Sequence, residues 1–327
     1  MKPRLFTGIQ PTGQLHIGNY LGVIKNSIQL QEKYDSLFCV VDLHALTVKQ
    51  DAKTFKNSIL EVARHYLASG IDPEKAILFI QSSVSEHTEL CWILNTLVKI
   101  SELERMTQFK EKALKNHANL NMGLFDYPIL MAADILLYNT AVVPVGDDQK
   151  QHLEMTRLLA NRFNKKYAEI FIAPKPLIKK HLEGGRIMGL DDPTKKMSKT
   201  AESEYNYIAL TDSPEKGIQK IMKATTDSGS TIAINKANPG ITNLLTIYSL
   251  LTNLKIEDLE KKYLGKQYSE FKKDLAELVG KFLQDHQEKL KEYSDSQLTQ
   301  ILATGSQKAQ EIASQKMKEI KLAVGLN

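Results

Sequence analysis

The chain contains 327 residues, of which 42% are hydrophobic, and this allows two domains with a sizeable core. Its two cysteines lack CxxC spacing, no secretory leader is recognisable and no apolar run could cross a bilayer, which argues against a disulfide-rich secreted scaffold or a membrane protein and predicts a cytoplasmic location. The net charge of +5 would suit an acidic partner, but residues 201–327 carry 17 lysines against 17 acidic residues, so the positive excess lies upstream.

Short apolar runs in the first two hundred residues predict a parallel sheet. Five runs are typical of strands, the last of them weak: 4–9, 37–41, 77–80, 142–145 and 186–188. Helical patterns separate them, with an apolar face along 20–34 and with Asp51 placed to cap a helix that ends at Gly70. We therefore expect an α/β fold with a Rossmann-like parallel sheet, which binds ligands beyond the carboxyl ends of its strands.

A helical insertion is expected between the third and fourth strands, over about 82–140. Within it, Ser101–Glu104 has the form of a capping box, and Asp126-Tyr127-Pro128 is placed to open a helix. Strand signals end after Lys199, and amphipathic patterns predict four further helices: 214–224, 241–251, 271–283 and 307–323. The sequence thus predicts a nucleotide-binding domain over 1–200 and an all-helical domain over 201–327, whose last helix could pack back on the first domain.

A Gly/Pro-rich stretch from Thr7 to Gly22 joins the first strand to the first helix. Gly13 permits backbone geometry that a β-carbon would hinder, and Gly18 would let a flat ligand lie against the first helical turn. The start of that helix offers unpaired N–H groups and the positive end of its dipole to phosphate. Such turns often serve packing alone, but this one contains the tetrapeptide His16-Ile17-Gly18-Asn19.

A second segment, Lys196-Met197-Ser198-Lys199-Thr200, follows about 180 residues later at the predicted domain junction. Lysine-rich loops are often merely solvated. Here two ammonium groups share a short loop that could close over a triphosphate, where they would stabilise the charge on a departing pyrophosphate.

The two segments resemble the HIGH and KMSKS elements of the class I aminoacyl-tRNA synthetases. This resemblance implies catalytic roles for His16, Asn19, Lys112, Lys196 and Lys199. It also implies ATP contacts from Gln10, Pro11, Thr12, Gly18, Asn19, Gly146, Asp147, Asp148, Ile187, Lys196, Met197, Ser198, Lys199 and Thr200. Asn19 replaces the second histidine of HIGH, as is common among bacterial tryptophanyl enzymes, and Thr200 replaces the final serine of KMSKS but keeps a hydroxyl.

Tyr127, Met131 and Asp134 occupy positions i, i+4 and i+7 and therefore share one face of a predicted helix. A carboxylate in this apolar segment needs a hydrogen-bond donor, and an ordinary structural carboxylate would take one from the protein. The stretch Tyr127–Asp134 nevertheless resembles the amino-acid pocket of the bacterial tryptophanyl-tRNA synthetases, which implies that Asp134 accepts the indole N–H. The same resemblance adds Val143, Val145, Gln149, His44 and Gln108 to the tryptophan pocket, with a packed, neutral histidine as the alternative for His44.

The segment Gly146-Asp147-Asp148-Gln149 is similar to the GxDQ element of the same enzymes, although an acidic N-cap is the simpler explanation. The resemblance as a whole implies ATP-dependent activation of L-tryptophan and its transfer to tRNA(Trp), with Mg²⁺ held by phosphate oxygens and water rather than by a protein metal site. It also implies a homodimer formed through the inserted helices and anticodon recognition by the C-terminal helices.

Two other classes of function remain open at this point. A tyrosine-specific synthetase would share the fold, but its pocket needs partners for a phenolic hydroxyl. A nucleotidyltransferase that acts without tRNA would not need the helical C-terminal region, and an inactive binding protein would not need an intact set of His16, Asp148, Lys196 and Lys199.

Overall fold

The computed structural model describes residues 2–110, 120–146, 149–178, 186–199, 201–227, 229, 231–235 and 237–326. Its strands are β1 (Arg4–Ile9), β2 (Asp35–Val40), β3 (Ala76–Ile80), β4 (Val142–Val145) and β5 (Lys175–Ile178). All neighbouring pairs are parallel, and the order across the sheet is β3-β2-β1-β4-β5. The strand order reverses between β1 and β4, so the crevice at their carboxyl ends is where such a sheet binds ligands.

The predicted fifth strand at 186–188 is wrong. The fifth strand is β5, whose sequence Lys175-Pro176-Leu177-Ile178 lies at the edge of the sheet, where a proline is tolerated because one side needs no ladder donor. Met188 forms only an isolated bridge with Lys196. The bridge instead orders the loop that carries the predicted lysine pair.

The described helices surround the sheet and continue beyond it. They are α1 (Ile17–Asn19), α2 (Lys25–Leu30), α3 (Asp42–Ala45), α4 (Ala52–Ala68), α5 (Glu86–Asn95), α6 (Ile100–Leu103), α7 (Met122–Leu136), α8 (Lys150–Lys166), α9 (Pro214–Lys223), α10 (Pro239–Thr252), α11 (Ile256–Lys262), α12 (Tyr268–Leu290) and α13 (Asp295–Val324). Within the described ranges, none of them combines the length and the apolar composition that a membrane span requires.

The helix predicted over 20–34 is interrupted. A π-helical segment, Tyr20–Ile24, separates α1 from α2. The side-chain amide of Asn26 donates to the carbonyls of Leu21 (3.2 Å) and Gly22 (3.0 Å). Local side-chain donors of this kind satisfy carbonyl groups where the α-helical ladder is broken.

Both predicted helix starts in the insertion are displaced. Helix α6 has Lys99 at its N-cap and Glu102 at the third position, two residues before the predicted Ser101–Glu104 box. The displacement follows from Glu102, which accepts from the Lys99 N–H at 3.0 Å. Helix α7 begins at Met122 with Asn121 as its cap rather than at Asp126, so Pro128 lies inside the helix.

The last helix leaves the helical domain and packs on the sheet. Gly305 of α13 lies against the backbone of Leu78 in β3 so closely that a β-carbon would overlap it. Leu298 and Leu302 join the core beneath the sheet, whereas α9 to α12 pack around a separate core that includes Ile17. The helices at 271–283 and 307–323 are thus longer than predicted, and α13 structurally completes the first domain.

Candidate active site

A cavity of about 780 Å³ lies at the carboxyl ends of the strands, within the usual size range of ligand sites. Most predicted site residues line it: Gln10, Thr12, His16, Gly18, Asn19, His44, Gln108, Tyr127, Met131, Asp134, Val143, Val145, Gly146, Gln149, Ile187, Lys196, Met197, Ser198 and Lys199. Pro11 belongs to the same loop but does not line the cavity. Lys112, Asp147, Asp148 and Thr200 lie outside the described residues.

One end of the cavity is cationic. Lys199 lies against Gly13, which has a φ of +62°, and a β-carbon there would overlap the ammonium group. Burial lowers the pKa of Lys199. Burial, reinforced by the charges of Lys196 and Lys199, lowers the pKa of His16 to about 4. At neutral pH His16 is therefore an uncharged hydrogen-bonding group, beside two positive charges that suit a polyphosphate.

The two sequence elements meet at this end. The side-chain oxygen of Asn19 accepts from the His16 N–H at 3.0 Å, which fixes the turn that opens α1. A β-carbon on Gly18 would lie 3.3 Å from the sulfur of Met197, so the loop of the lysine pair packs directly on that turn. The Ser198 N–H in turn donates to the side chain of Asn206 at 2.8 Å.

Asp134 stands at the other end, almost completely buried on α7. Its Oδ1 accepts from Gln81 Nε2 at 2.8 Å and from His87 Nδ1 at 2.6 Å, and its Oδ2 accepts from His44 Nε2 at 2.8 Å. The Gln81 amide is oriented by its oxygen, which accepts from the Leu43 N–H at 3.1 Å. Three donors from three different segments therefore converge on one carboxylate.

This convergence keeps Asp134 ionised. Burial acts to raise its pKa, but His87 and His44 outweigh burial and hold the pKa well below the usual range of an aspartate. A carboxylate has about four acceptor positions, and three are taken by Gln81, His87 and His44. One position on Oδ2 can still accept a hydrogen bond from a ligand in the cavity.

Apolar and aromatic side chains form the walls around this acceptor. Tyr127 and Gln108, predicted from different segments, are joined because the Tyr127 hydroxyl donates to Gln108 Oε1 at 2.8 Å. The ring of His44 meets the Tyr127 ring edge-on at 6.3 Å. With Val143 and Val145 buried beside them, the cavity has an apolar end that holds a buried anion.

Two residues that contact Asp134 were not predicted. Gln81 follows β3 directly, so its polar side chain at a strand end was a usable signal. His87 lies on α5 between Glu86 and Thr88, and no periodicity separates it from an ordinary buried histidine. Only the fold brings His87 to Asp134.

The family profile described as "tRNA synthetases class I (W and Y)" matches residues 1–284. The chain is 49% identical to a tryptophan–tRNA ligase of Helicobacter pylori over 99% of each chain. Its fold is similar to a tryptophanyl-tRNA synthetase of Mycoplasma pneumoniae (TM-score 0.93, 39% identity, 100% of this chain and 99% of that one). It also resembles the Campylobacter jejuni enzyme complexed with ADP and tryptophan (TM-score 0.83, 37% identity, 99% and 100%). The chain therefore belongs to the class I tRNA synthetases for tryptophan and tyrosine, and within them to the tryptophan–tRNA ligases.

Proposed function

We propose that this chain activates L-tryptophan with ATP to tryptophanyl-adenylate and transfers the amino acid to tRNA(Trp). The observation that carries the proposal is the ionised Asp134 carboxylate, which keeps one acceptor position in an apolar slot of the cavity. Indole nitrogen is a donor only, so an acceptor-only carboxylate suits it. A phenolic hydroxyl both donates and accepts, which makes the tyrosine alternative a poorer fit.

The cationic end of the cavity suits the triphosphate. The tryptophan carboxylate attacks the α-phosphorus, the bond to the β-phosphate oxygen breaks, and pyrophosphate leaves. Lys196 and Lys199 are placed to stabilise the charge that develops on the leaving group. Neutral His16 lines the same end of the cavity and offers a further polar contact to phosphate.

Mg²⁺ is expected to accompany ATP. Within the described ranges, no three His, Cys, Asp or Glu side chains are grouped so that they could hold a metal ion. The lysines of the cavity instead match phosphate oxygens, which themselves bind Mg²⁺. The ion would stabilise charge on the phosphates, while Lys196 and Lys199 orient them.

A homodimer formed through the inserted helices is supported by apolar surface. Trp92 of α5 and Met122 of α7 are 75% and 73% exposed. Their sequence neighbours Cys91 and Gly123 line a groove of about 210 Å³ between these helices. Tyr127 lines both this groove and the cavity. We expect the second copy to cover this surface next to the tryptophan pocket.

The helical region 201–327 is proposed to contact the anticodon. Because the lysines and acidic residues of this region balance, base stacking and local lysine faces would supply the contact with the anticodon. Residues 1–200 would supply much of the binding to the phosphate groups of the tRNA. A cytoplasmic enzyme of translation is the role that fits these features.

The test is amino-acid-dependent exchange of pyrophosphate into ATP, followed by charging of tRNA(Trp). We expect exchange with tryptophan and not with tyrosine, and transfer to the tRNA. Lys199→Ala should slow adenylate formation by about 10²- to 10³-fold at saturating substrates, the usual effect of losing one transition-state stabiliser. Tyrosine-dependent exchange, or exchange without tRNA charging, would overturn the proposal, and a normal rate for Lys199→Ala would remove that lysine from the mechanism.

A further inference from the structure

We propose that His87 is a positioning residue for substrate recognition, which holds Oδ1 of Asp134 so that the remaining acceptor position of Oδ2 faces the indole N–H. The inference rests on the proposed function, because it assigns the geometry of the same carboxylate. His87 itself does not line the cavity. It would therefore act on specificity through Asp134 alone.

The hydrogen bond between His87 and Asp134 has a fixed direction. Asp134 is ionised and can only accept, so the proton of the 2.6 Å contact is on Nδ1 of His87. The other ring nitrogen, Nε2, lies 2.8 Å from the Tyr138 hydroxyl. Tyr138 thus helps to hold the ring in the orientation in which Nδ1 donates to Asp134.

The His87 ring is held by two packed aromatic rings and by a hydrogen bond at each of its nitrogens. It is completely buried, stacks on Phe79 of β3 at 6.1 Å and contacts the Tyr138 ring at 5.4 Å. These contacts leave the ring no second orientation in which Nδ1 could leave Asp134 without burying an unsatisfied donor, which is costly. The shortest of the three contacts on the carboxylate is therefore also the most constrained.

The helical turn that carries His87 is anchored through the preceding residue, Glu86. The neighbouring Glu86 is buried, and its carboxylate accepts from Gln310 Nε2 at 2.6 and 2.7 Å and from Ser314 Oγ at 2.6 Å. Both donors belong to α13, which packs on the sheet. The first turn of α5 is thus anchored to a helix more than two hundred residues away in the chain, and His87 is carried on that turn.

His44 and Gln81 do not duplicate this role. His44 lines the cavity, so a bound ligand can displace or reorient it. Gln81 shares Oδ1 with His87 and is itself held by the Leu43 N–H, but its 2.8 Å contact with Oδ1 is longer than the 2.6 Å contact from His87. Loss of His87 would let the carboxylate rotate about its Cβ–Cγ bond and turn the acceptor position away from the slot.

The experiment compares three substitutions by tryptophan-dependent pyrophosphate exchange. His87→Leu removes the donor, and His87→Asn keeps a side-chain N–H near the position of Nδ1. His65→Leu is the matched control, because His65 is equally buried and makes a 2.8 Å hydrogen bond remote from the cavity. Each is assayed with tryptophan and with the analogue in which sulfur replaces the ring N–H, and with varied ATP.

We expect His87→Leu to raise the KM for tryptophan about tenfold and to lower the tryptophan-to-analogue ratio by a similar factor, since one charge-assisted hydrogen bond is lost. The KM for ATP should stay within about twofold. His87→Asn should recover most of the tryptophan-to-analogue ratio. His65→Leu should lower the melting temperature but leave the tryptophan-to-analogue ratio unchanged. A wild-type ratio in His87→Leu would reduce His87 to a core residue and overturn the inference.

If His87→Leu does not fold, Tyr138→Phe provides the second arm, because it removes the hydroxyl that contacts Nε2 and keeps the ring. A twofold to fivefold fall in the ratio supports the inference, and an unchanged ratio in Tyr138→Phe overturns it. Failure of the proposed function is distinguishable: the wild-type enzyme would then show no tryptophan-dependent exchange or no preference over the sulfur analogue.

Discussion

Buried histidines occur in two regions of this molecule with opposite electrostatics. At the cavity, His44 and His87 surround the Asp134 anion. Where α4 meets α12, His65 Nδ1 contacts His286 Nε2 at 2.8 Å. The charges that act on His65 are those of His286 and Arg64, and the charge that acts on His286 is that of Lys289. Burial and these like charges lower the pKa of His65 to about 3 and that of His286 to about 4.

Burial of a histidine therefore does not by itself decide its role. Beside a carboxylate, the imidazole orients an anion that a substrate can use. Between two helices and near cations, a pair of neutral rings joins the first domain to the helical domain and resists protonation. The same residue type is therefore part of recognition in one region and a structural joint in the other.

The largest expected effect concerns the joint. Because the folded pKa values lie below the unfolded value of about 6.5, the unfolded chain binds more protons as the pH falls, and stability is lost from about pH 6.5 down to about pH 3. At pH 5 the loss from both rings is on the order of 2–4 kcal/mol. His65→Leu combined with His286→Leu should flatten this dependence.

The urea unfolding midpoints at pH 7.5 and pH 5.0 measure this pH dependence of stability. The single variant His286→Leu should show about half of the flattening. If the double variant loses as much stability on acidification as the wild type, the joint is not the group that titrates.

The second prediction concerns a substitution that removes the negative charge of Asp134 from the cavity. His44 and His87 then no longer face a carboxylate, as is already the case for His65 and His286. Asp134→Asn keeps the volume but replaces a charged acceptor by an amide, and charge-assisted hydrogen bonds are worth about 1.5–3 kcal/mol. We expect kcat/KM for tryptophan to fall about tenfold to a hundredfold, with weaker discrimination against the sulfur analogue. Asp126→Asn, on the same helix and half-buried, is the control. Equal ratios in wild type and Asp134→Asn would refute the role of Asp134.

The smallest expected effect comes from a substitution on α13, outside the cavity. Gln310→Leu removes the amide that donates to both oxygens of Glu86, so the turn that carries His87 should loosen and the KM for tryptophan should rise about threefold. Gln315→Leu, on the exposed face of the same helix, should leave it unchanged. Identical values for the two variants would show that α13 does not support recognition.

The sequence predicted what rests on local pattern. Four of the five strands, the cap at Asp51 and the shared face of Tyr127, Met131 and Asp134 follow from periodicity and capping chemistry. The edge strand β5 was not predicted, because a lysine and a proline interrupt the apolar run that would indicate a strand. Helix starts in the insertion shifted because side chains such as Asn121 outcompeted the predicted caps.

Most of the predicted site residues do line one cavity, because the strand ends, the start of α1 and one face of α7 meet at the same edge of the sheet. What could not be predicted is contact across the fold. Neither the His87 contact with Asp134 nor the His65 contact with His286 leaves a trace in spacing, since the partners are 47 and 221 residues apart. Such pairs are set by tertiary packing.

The contact between Gly305 and the backbone of Leu78 joins residues more than two hundred positions apart. During synthesis, β3 leaves the ribosome long before α13 exists, so the surface of β3 that α13 covers stays exposed until α13 emerges. Loops of this length slow folding, because their closure entropy is lost before the contacts form. An enzyme that serves translation thus completes the packing of its own sheet only after α13 has been translated.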